Sequence, residues 1–582
     1  MSRKKPKRPV EKPAEQLKTA APFLERRSLV LALGLIAIAV IRIAAAWPDM
    51  SITFDEPAHI GCGLQYVAQH VYLYEPQHPP LARAMAALGP YLDGSRLVDA
   101  PNMILEGVGV LYDGGHTGRT LTLARLGILP FFILACLVVY FWARRYFGNP
   151  AAVVATGLFT LLPSVLAHAG LATTDMALTA CLGAAFLALL VWAEQPSFRH
   201  SLLWGAATAL AVLSKFTALG FLPVAAVFAL AVYLVTERPG WERLAALAKE
   251  RAAPLAIAVL VGALAVWAGY LFSFGAVPGW SVRLPAPELF DGIRRAMRHN
   301  ASEGGGYLFG RLSPTGWWYF FPVALAVKTP LAFLFLLGFG AWLCWTKRRS
   351  AAYCLPWAFS LGILAPAMTS PVNYGVRHVL PVYMGFSIVA ALAVVRLAQW
   401  SQARKWAGVA AGALVLWMTV SGAIRHPDYL AYFNELAGSE PENVLVDSDL
   451  DWGQDTILLA RRLRELGVKE VSYIQMNLDS AHLQVWPGMP PTKPINPVVP
   501  AEGWTAVGPT FSKVGQYGLD HRYPNLKPWF EYVKPVERVG SLLLYYMPPR
   551  TAINTPAGPA MGTRRTSPNP ASRSHAVYSS SL

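Results

Sequence analysis

Two adjacent carboxylates, Asp55 and Glu56, stand in Phe54-Asp55-Glu56-Pro57-Ala58-His59, a few residues beyond a long apolar run. Such a pair can divide the work of proton transfer, one carboxylate accepting a proton from a hydroxyl and the other supporting it. The same residues also suit a helix start, where acids offset the helix dipole and Pro57 fits an early position. Other ionisable residues shift the balance toward chemistry. Glu75 and His78 follow in Glu75-Pro-Gln-His78-Pro-Pro-Leu, and Asp175 ends Thr173-Thr-Asp175. Lys215 interrupts an apolar stretch as Ser214-Lys-Phe216; Tyr374, Arg377 and His378 share Asn373-Tyr-Gly-Val-Arg-His378. Taken singly, Lys215 and Arg377 could be snorkelling anchors and Asp175 a helix cap. Together, cations for a phosphate and a carboxylate for a hydroxyl make a reaction site.

Positioning them falls to apolar helices. The chain has 582 residues, 54% of them hydrophobic and 14% charged, with mean hydropathy +0.36. A soluble globular protein of this size is excluded, because its surface would need more charge. Apolar runs long enough for a hydrocarbon core predict about eleven spans, at 29–46, 123–142, 151–168, 176–193, 201–213, 217–235, 254–274, 321–345, 353–369, 379–395 and 407–424. The first 28 residues carry nine Lys or Arg and read as a basic, disordered cytoplasmic opening. Short connections on that side carry thirteen more, against two on the other. This asymmetry makes the N-terminus cytoplasmic and puts every residue singled out above on the outer face of the cell's inner membrane. The net charge of +16 then meets anionic headgroups, and nucleic acid is not an expected partner.

Two outer loops, 47–122 and 275–320, are longer than connection requires, which is a mark of function. The first includes a predicted amphipathic helix over 81–92, of a kind that lies in the membrane interface. Residues 425–550 read as a small outer α/β domain. Strands are expected at 443–447, 471–476 and 539–547, and a helix over 451–466 with Asp451 as N-cap and Gln454 in a capping box. The tail from 551 reads as disordered. In the run Asp447-Ser-Asp-Leu-Asp-Trp-Gly-Gln-Asp455, calcium-loop spacing fails at Gly453 and Leu458, so the helix cap is the expected explanation. The five cysteines show no paired spacing, and no metal site is predicted from the residues.

In order and topology these motifs resemble the GT-C superfamily of membrane glycosyltransferases, in its protein O-mannosyltransferase and aminoarabinose-transferase-like branches. The points of likeness are Asp55-Glu56 after the first span with His-Pro-Pro-Leu downstream, Thr-Thr-Asp after the third, Ser-Lys in a mid-chain hairpin and Asn-Tyr-Gly-Val-Arg-His before the tenth. The resemblance covers about residues 29–550. It implies an all-α polytopic domain over 29–424 and transfer of a sugar, with inversion, from a polyprenyl-phosphate-linked donor to a hydroxyl of a protein, lipid or glycan. Asp55 is then the base with Glu56 beside it, Lys215 and Arg377 hold the donor phosphate, and Glu75, His78, Asp175, Tyr374 and His378 line the pocket. Whether a divalent metal ion assists the cations stays open. A transporter or flippase of an anionic lipid or solute is the alternative, opposed by the absence of internal repeats and by the long outer loops.

Overall fold

The structure, a computed structural model, describes residues 26–302, 304–475, 486–515 and 527–549. The disorder expected of residues 1–25 and 551–582, and the last residue of the strand expected at 471–476, fall outside these ranges.

Eight helices are long and apolar enough to cross a membrane: Ser28–Asp49, Thr117–Phe147, Asp175–Glu194, Ala218–Glu237, Trp241–Gly269, Ala351–Met368, Val382–Trp400 and Lys405–Ile424. The chain is an integral, multi-pass membrane protein. Two further spans are bent pairs. Asn149–Leu161 and Pro163–Ala169 meet at 70°, and Phe320–Lys328 and Leu331–Thr346 at 117°. Continuous helices were expected there, but Pro163 and Pro330 fall at the breaks, where proline removes a backbone donor. The remaining expected span, 201–213, is the helix Phe198–Ser214. At 17 residues it is about 25 Å long, short of a full hydrocarbon core. Val382–Trp400 is 78% buried and Asp175–Glu194 72%, against 6% for Trp241–Gly269. The first two are therefore the centre of the bundle, and the last lies at its periphery, packed against helix Phe198–Ser214.

The long loop after the first span folds into three short helices, Glu56–Gln69, Pro80–Leu92 and Met103–Tyr112. The amphipathic helix expected at 81–92 is present, with Ala82, Arg83, Ala86 and Ala87 turned into the protein. In the second long loop, strand Gly305–Leu308 pairs antiparallel with Arg311–Ser313 and parallel with Val372–Asn373. That pairing anchors the loop just before Arg377.

The C-terminal region carries a mixed five-stranded sheet in the order Thr492–Lys493, Val471–Ile474, Gly503–Val507, Leu542–Met547, Glu537–Val539. Alternation along the fourth strand in that order puts Leu542 and Leu544 against helix Thr456–Glu465, and Leu543 and Tyr545 against Trp529 and Phe530. Two local expectations are corrected. Residues 443–447 form no strand: the chain makes 3-10 turns at Pro441–Asn443 and Asp447–Asp449, with Asp447 at a φ of +60°. The helix starts at Thr456, so neither Asp451 nor Gln454 caps it. Residues 451–455 instead pair their backbone with residues 51–54, which holds them out of a helix.

Asp451 is wholly buried below this segment, accepting hydrogen bonds from Gln475 Nε2 (3.1 Å) and the Thr510 N–H (3.3 Å). Burial pushes its carboxyl up to about 6. Above the unfolded value of about 4 the unfolded chain releases this proton while the folded chain keeps it. Stability should therefore fall as pH rises from about 4 to 6, by roughly 3 kcal/mol from this group. Thermal unfolding in detergent across that range should show the slope, and Asp451→Asn should make it shallower, the part-buried carboxyls of Asp428 and Asp447, also pushed up, carrying the remainder. An identical slope in the variant would remove Asp451 as its source.

Candidate active site

Four charged side chains from distant parts of the chain form one ion-pair network. Asp55 precedes helix Glu56–Gln69 and makes no capping bond there. Its Oδ2 instead accepts from Arg377 Nη1 at 2.7 Å. Arg377 Nη1 also lies 3.7 Å from Asp175 Oδ2, and Asp175 Oδ1 accepts from Lys215 Nζ at 2.7 Å. The order is Asp55–Arg377–Asp175–Lys215, two anions and two cations. Asp55 and Arg377 keep 16% and 11% of their side chains exposed, while Asp175 keeps none. The network therefore opens on the Asp55–Arg377 side. Burial pulls the Arg377 guanidinium down in pKa, but Asp55 and Asp175 outweigh it and lift it above its ordinary value.

Local sequence explains each placement. Lys215 sits in extended backbone where helix Phe198–Ser214 ends, so its side chain leaves the helix toward the first turn of Asp175–Glu194. Arg377 lies on a 3-10 turn after Gly375, whose φ is +135°, a conformation L side chains avoid.

Histidines line the same region. The His59 and His78 rings meet edge to face at 5.3 Å, and Tyr374 and His378 at 6.3 Å. Burial first, then Arg83 for His59 and His78 and Lys215 for His378, holds all three well below the ordinary histidine pKa. They are neutral at physiological pH. Among the described residues, buried polar atoms without a hydrogen-bond partner include His78 Nδ1, His378 Nε2, Arg377 Nε and Asp175 Oδ2. Unsatisfied atoms at a charged network mark a place for a polar ligand or water. Among the described residues no three His, Cys, Asp or Glu side chains are grouped to hold a metal ion.

Two expected site residues are engaged in buried ion pairs. Glu56, expected beside Asp55 in catalysis, points the other way and is wholly buried. It takes Arg125 on both oxygens at 2.8 Å, and the N–H groups of Thr53 and Ala172 at 2.9 Å. Burial pushes its carboxyl up, but Arg125 and these donors outweigh burial and hold it below its ordinary value. Its lone pairs are occupied, so it has no capacity left for a substrate. Glu75, expected in the pocket, is bound by Arg83 Nη2 at 2.6 Å. Arg83 also donates to His59 Nδ1 at 3.0 Å. Sequence reasoning missed Arg83 and Arg125, since neither lies in a motif; an arginine on an otherwise apolar helix face was the available signal. Trp452, with its indole 4.2 Å from the Arg377 guanidinium, was also missed as part of the site, and Lys328 bonds the Asp449 carbonyl beside it.

Residues 117–270 match the family described as dolichyl-phosphate-mannose-protein mannosyltransferase. The matched stretch contains Asp175 and Lys215 but neither Asp55 nor Arg377. No curated protein matches the chain. Among solved structures, the chain is similar to ArnT from Cupriavidus metallidurans bound to undecaprenyl phosphate, with 14% identity over 89% of this chain and 98% of that one and a TM-score of 0.47. It is also similar to the oligosaccharyltransferase AglB from Archaeoglobus fulgidus, in complex with an inhibitory peptide and a dolichol-phosphate. There the identity is 13% over 69% of this chain and 56% of that one, with a TM-score of 0.45. The family match bears out the resemblance to lipid-phosphate-sugar-dependent membrane glycosyltransferases that the motifs carry.

Glu56→Gln strands Arg125 as a buried, half-paired charge. The protein should lose about 3–5 kcal/mol of stability, read as a lowered unfolding temperature in detergent. A variant of unchanged stability that lost activity would return Glu56 to the chemistry.

Proposed function

We propose, on the premise of the mannosyltransferase family match, that this chain transfers a sugar with inversion from a polyprenyl-phosphate-linked donor to an acceptor hydroxyl on the outer face of the membrane. The observation that carries this reading is the Asp55–Arg377–Asp175–Lys215 network, open on the Asp55–Arg377 side. The acceptor oxygen attacks the anomeric carbon, the bond from that carbon to the phosphate oxygen breaks, and Asp55 takes the hydroxyl proton. The polyprenyl phosphate departs carrying the bonding pair. Arg377 and Lys215 hold the phosphate, and Asp175 keeps the two cations in place while the site is empty. Tyr374, His78 and His378 line the pocket, the histidines neutral and so able to accept or donate hydrogen bonds to sugar hydroxyls. Protein, lipid and glycan hydroxyls all satisfy this chemistry as acceptors.

The ion pair has a consequence for timing. While Arg377 Nη1 is bonded to Asp55 Oδ2 at 2.7 Å, that carboxylate oxygen is occupied. A donor phosphate competes for the guanidinium, which frees Asp55 when there is a sugar to transfer.

Asp55→Asn retains size and hydrogen bonding but cannot take the proton. Sugar transfer should fall about a hundredfold or more while undecaprenyl phosphate still binds. Near-normal transfer by correctly inserted protein would remove Asp55 as the base.

Orientation is tested separately. In a variant with the native cysteines replaced, a membrane-impermeant thiol reagent added outside should label Arg96→Cys and spare Arg349→Cys, both exposed positions that the proposed topology assigns to opposite faces. Labelling of Arg349→Cys alone would reverse the proposed face.

A further inference from the structure

The segment Asp447–Thr456 leaves the C-terminal region and returns to the two loops that supply Asp55 and Arg377. On the first loop, Phe54 N–H donates to the Trp452 carbonyl and Ser51 N–H to the Gln454 carbonyl, both at 2.9 Å. Ser51 Oγ adds a bond to the Gly453 carbonyl at 2.7 Å. On the second, Asp449 Oδ1 accepts the Val376 N–H at 3.0 Å, and Ser448 Oγ donates to the Tyr374 carbonyl. Lys328, at the break of the bent span, fastens the segment with bonds to the carbonyls of Asp449 (2.5 Å) and Leu430 (2.7 Å). Approach is close enough to need glycine on both sides. A Cβ on Gly453, φ +108°, would lie 2.7 Å from the Ile52 carbonyl oxygen, and one on Gly375 would lie 2.5 Å from Ser448 Oγ.

At the centre of this strap the Trp452 indole is 1% exposed and lies against Arg377, whose guanidinium carbon is 4.2 Å from the ring centroid. Arg377 Nη1 is committed to Asp55, while Nε has no hydrogen-bond partner among the described residues. The Trp452 ring therefore adds to the Asp55 bond in holding the guanidinium, and the strap's backbone bonds tie the segments that carry ring and arginine to one another.

We infer that Trp452 is a positioning residue of the site: its ring orients the Arg377 guanidinium for the donor phosphate, and through the strap the C-terminal region sets the Asp55–Arg377 geometry. This rests on the reading of Arg377 as a phosphate contact. A ring that only filled space would be replaceable by any apolar side chain of adequate bulk. A positioning ring needs its π face, because a flat quadrupole and not volume aligns a cation.

The test is a double-mutant cycle on the full-length protein in nanodiscs, with undecaprenyl phosphate as the probe and unfolding temperature recorded for every variant. Arg377→Ala should weaken binding about ten- to a hundredfold. Trp452→Leu should weaken it about three- to thirtyfold, Trp452→Phe should restore most of the affinity, and Trp452→Leu should add nothing in the Arg377→Ala background. If Trp452→Leu fails to fold, Trp452→Phe carries the cycle, with a smaller loss that must likewise vanish without Arg377. Additive losses, or equal affinities for Phe and Leu, would overturn the role of Trp452 and leave the phosphate reading standing. Unchanged affinity in Arg377→Ala would overturn the phosphate reading and this inference with it.

Discussion

Two carboxylates and two cations, buried or nearly so at the mouth of an apolar bundle, can persist as charges only by neutralising one another. Removing any one of Asp55, Arg377, Asp175 and Lys215 from water costs several kcal/mol, and a surface rotamer could not make good that cost. The four must be delivered to one point from residues as far apart as 55 and 377. That requirement explains much of the surrounding architecture. Asp175 heads one of the most enclosed helices, Lys215 ends a short helix, and Arg377 is locked between a three-stranded sheet and the strap.

The same constraint accounts for the broken spans. Backbone that leaves the helix at membrane depth must find hydrogen-bond partners within the protein. The bent pairs break at Leu162–Pro163 and Thr329–Pro330. At the second break Lys328 turns its ammonium to carbonyls of the C-terminal region, with the Phe433 ring 4.3 Å away. The helix is sacrificed there to bind a polar segment against the bundle.

This division decides what could be read from the sequence. Asp55, Asp175, Lys215 and Arg377 were legible because an ionisable residue at the end of an apolar run stands out against its neighbours. Glu56 and Glu75 stood out for the same reason, yet their arginine partners are 69 and 8 residues away and no local pattern joins them. Ionisable character announces a cost, and only the fold shows whether a partner or a substrate meets it. The run 447–455 was misread for a related reason. Its acids satisfy helix-capping rules locally, but backbone pairing with residues 51–54, some 400 positions earlier, overrides those rules. The spans were legible by length. Their breaks were signalled by Pro163 and Pro330, which apolar length alone outweighed.

Charge arithmetic along the proposed reaction favours this arrangement of cations. A sugar linked through a phosphodiester carries one negative charge, and the departing polyprenyl phosphate carries closer to two. Lys215 and Arg377 therefore interact more strongly with the leaving group than with the bound donor. That difference is the kind that lowers a barrier, since equal attraction to both would only tighten binding. Asp175 is essential to the balance: without a donor it prevents the cations from repelling each other apart, and with one it leaves about one unit of positive charge for the phosphate. Asp55 supplies the remaining counter-charge at rest and is released as the phosphate takes its place. A site built from two cations alone would bind the spent carrier too tightly to turn over. One built from balanced pairs can hold the phosphate as charge develops and let it go once Asp55 has passed its proton to water and returns to Arg377 as a carboxylate.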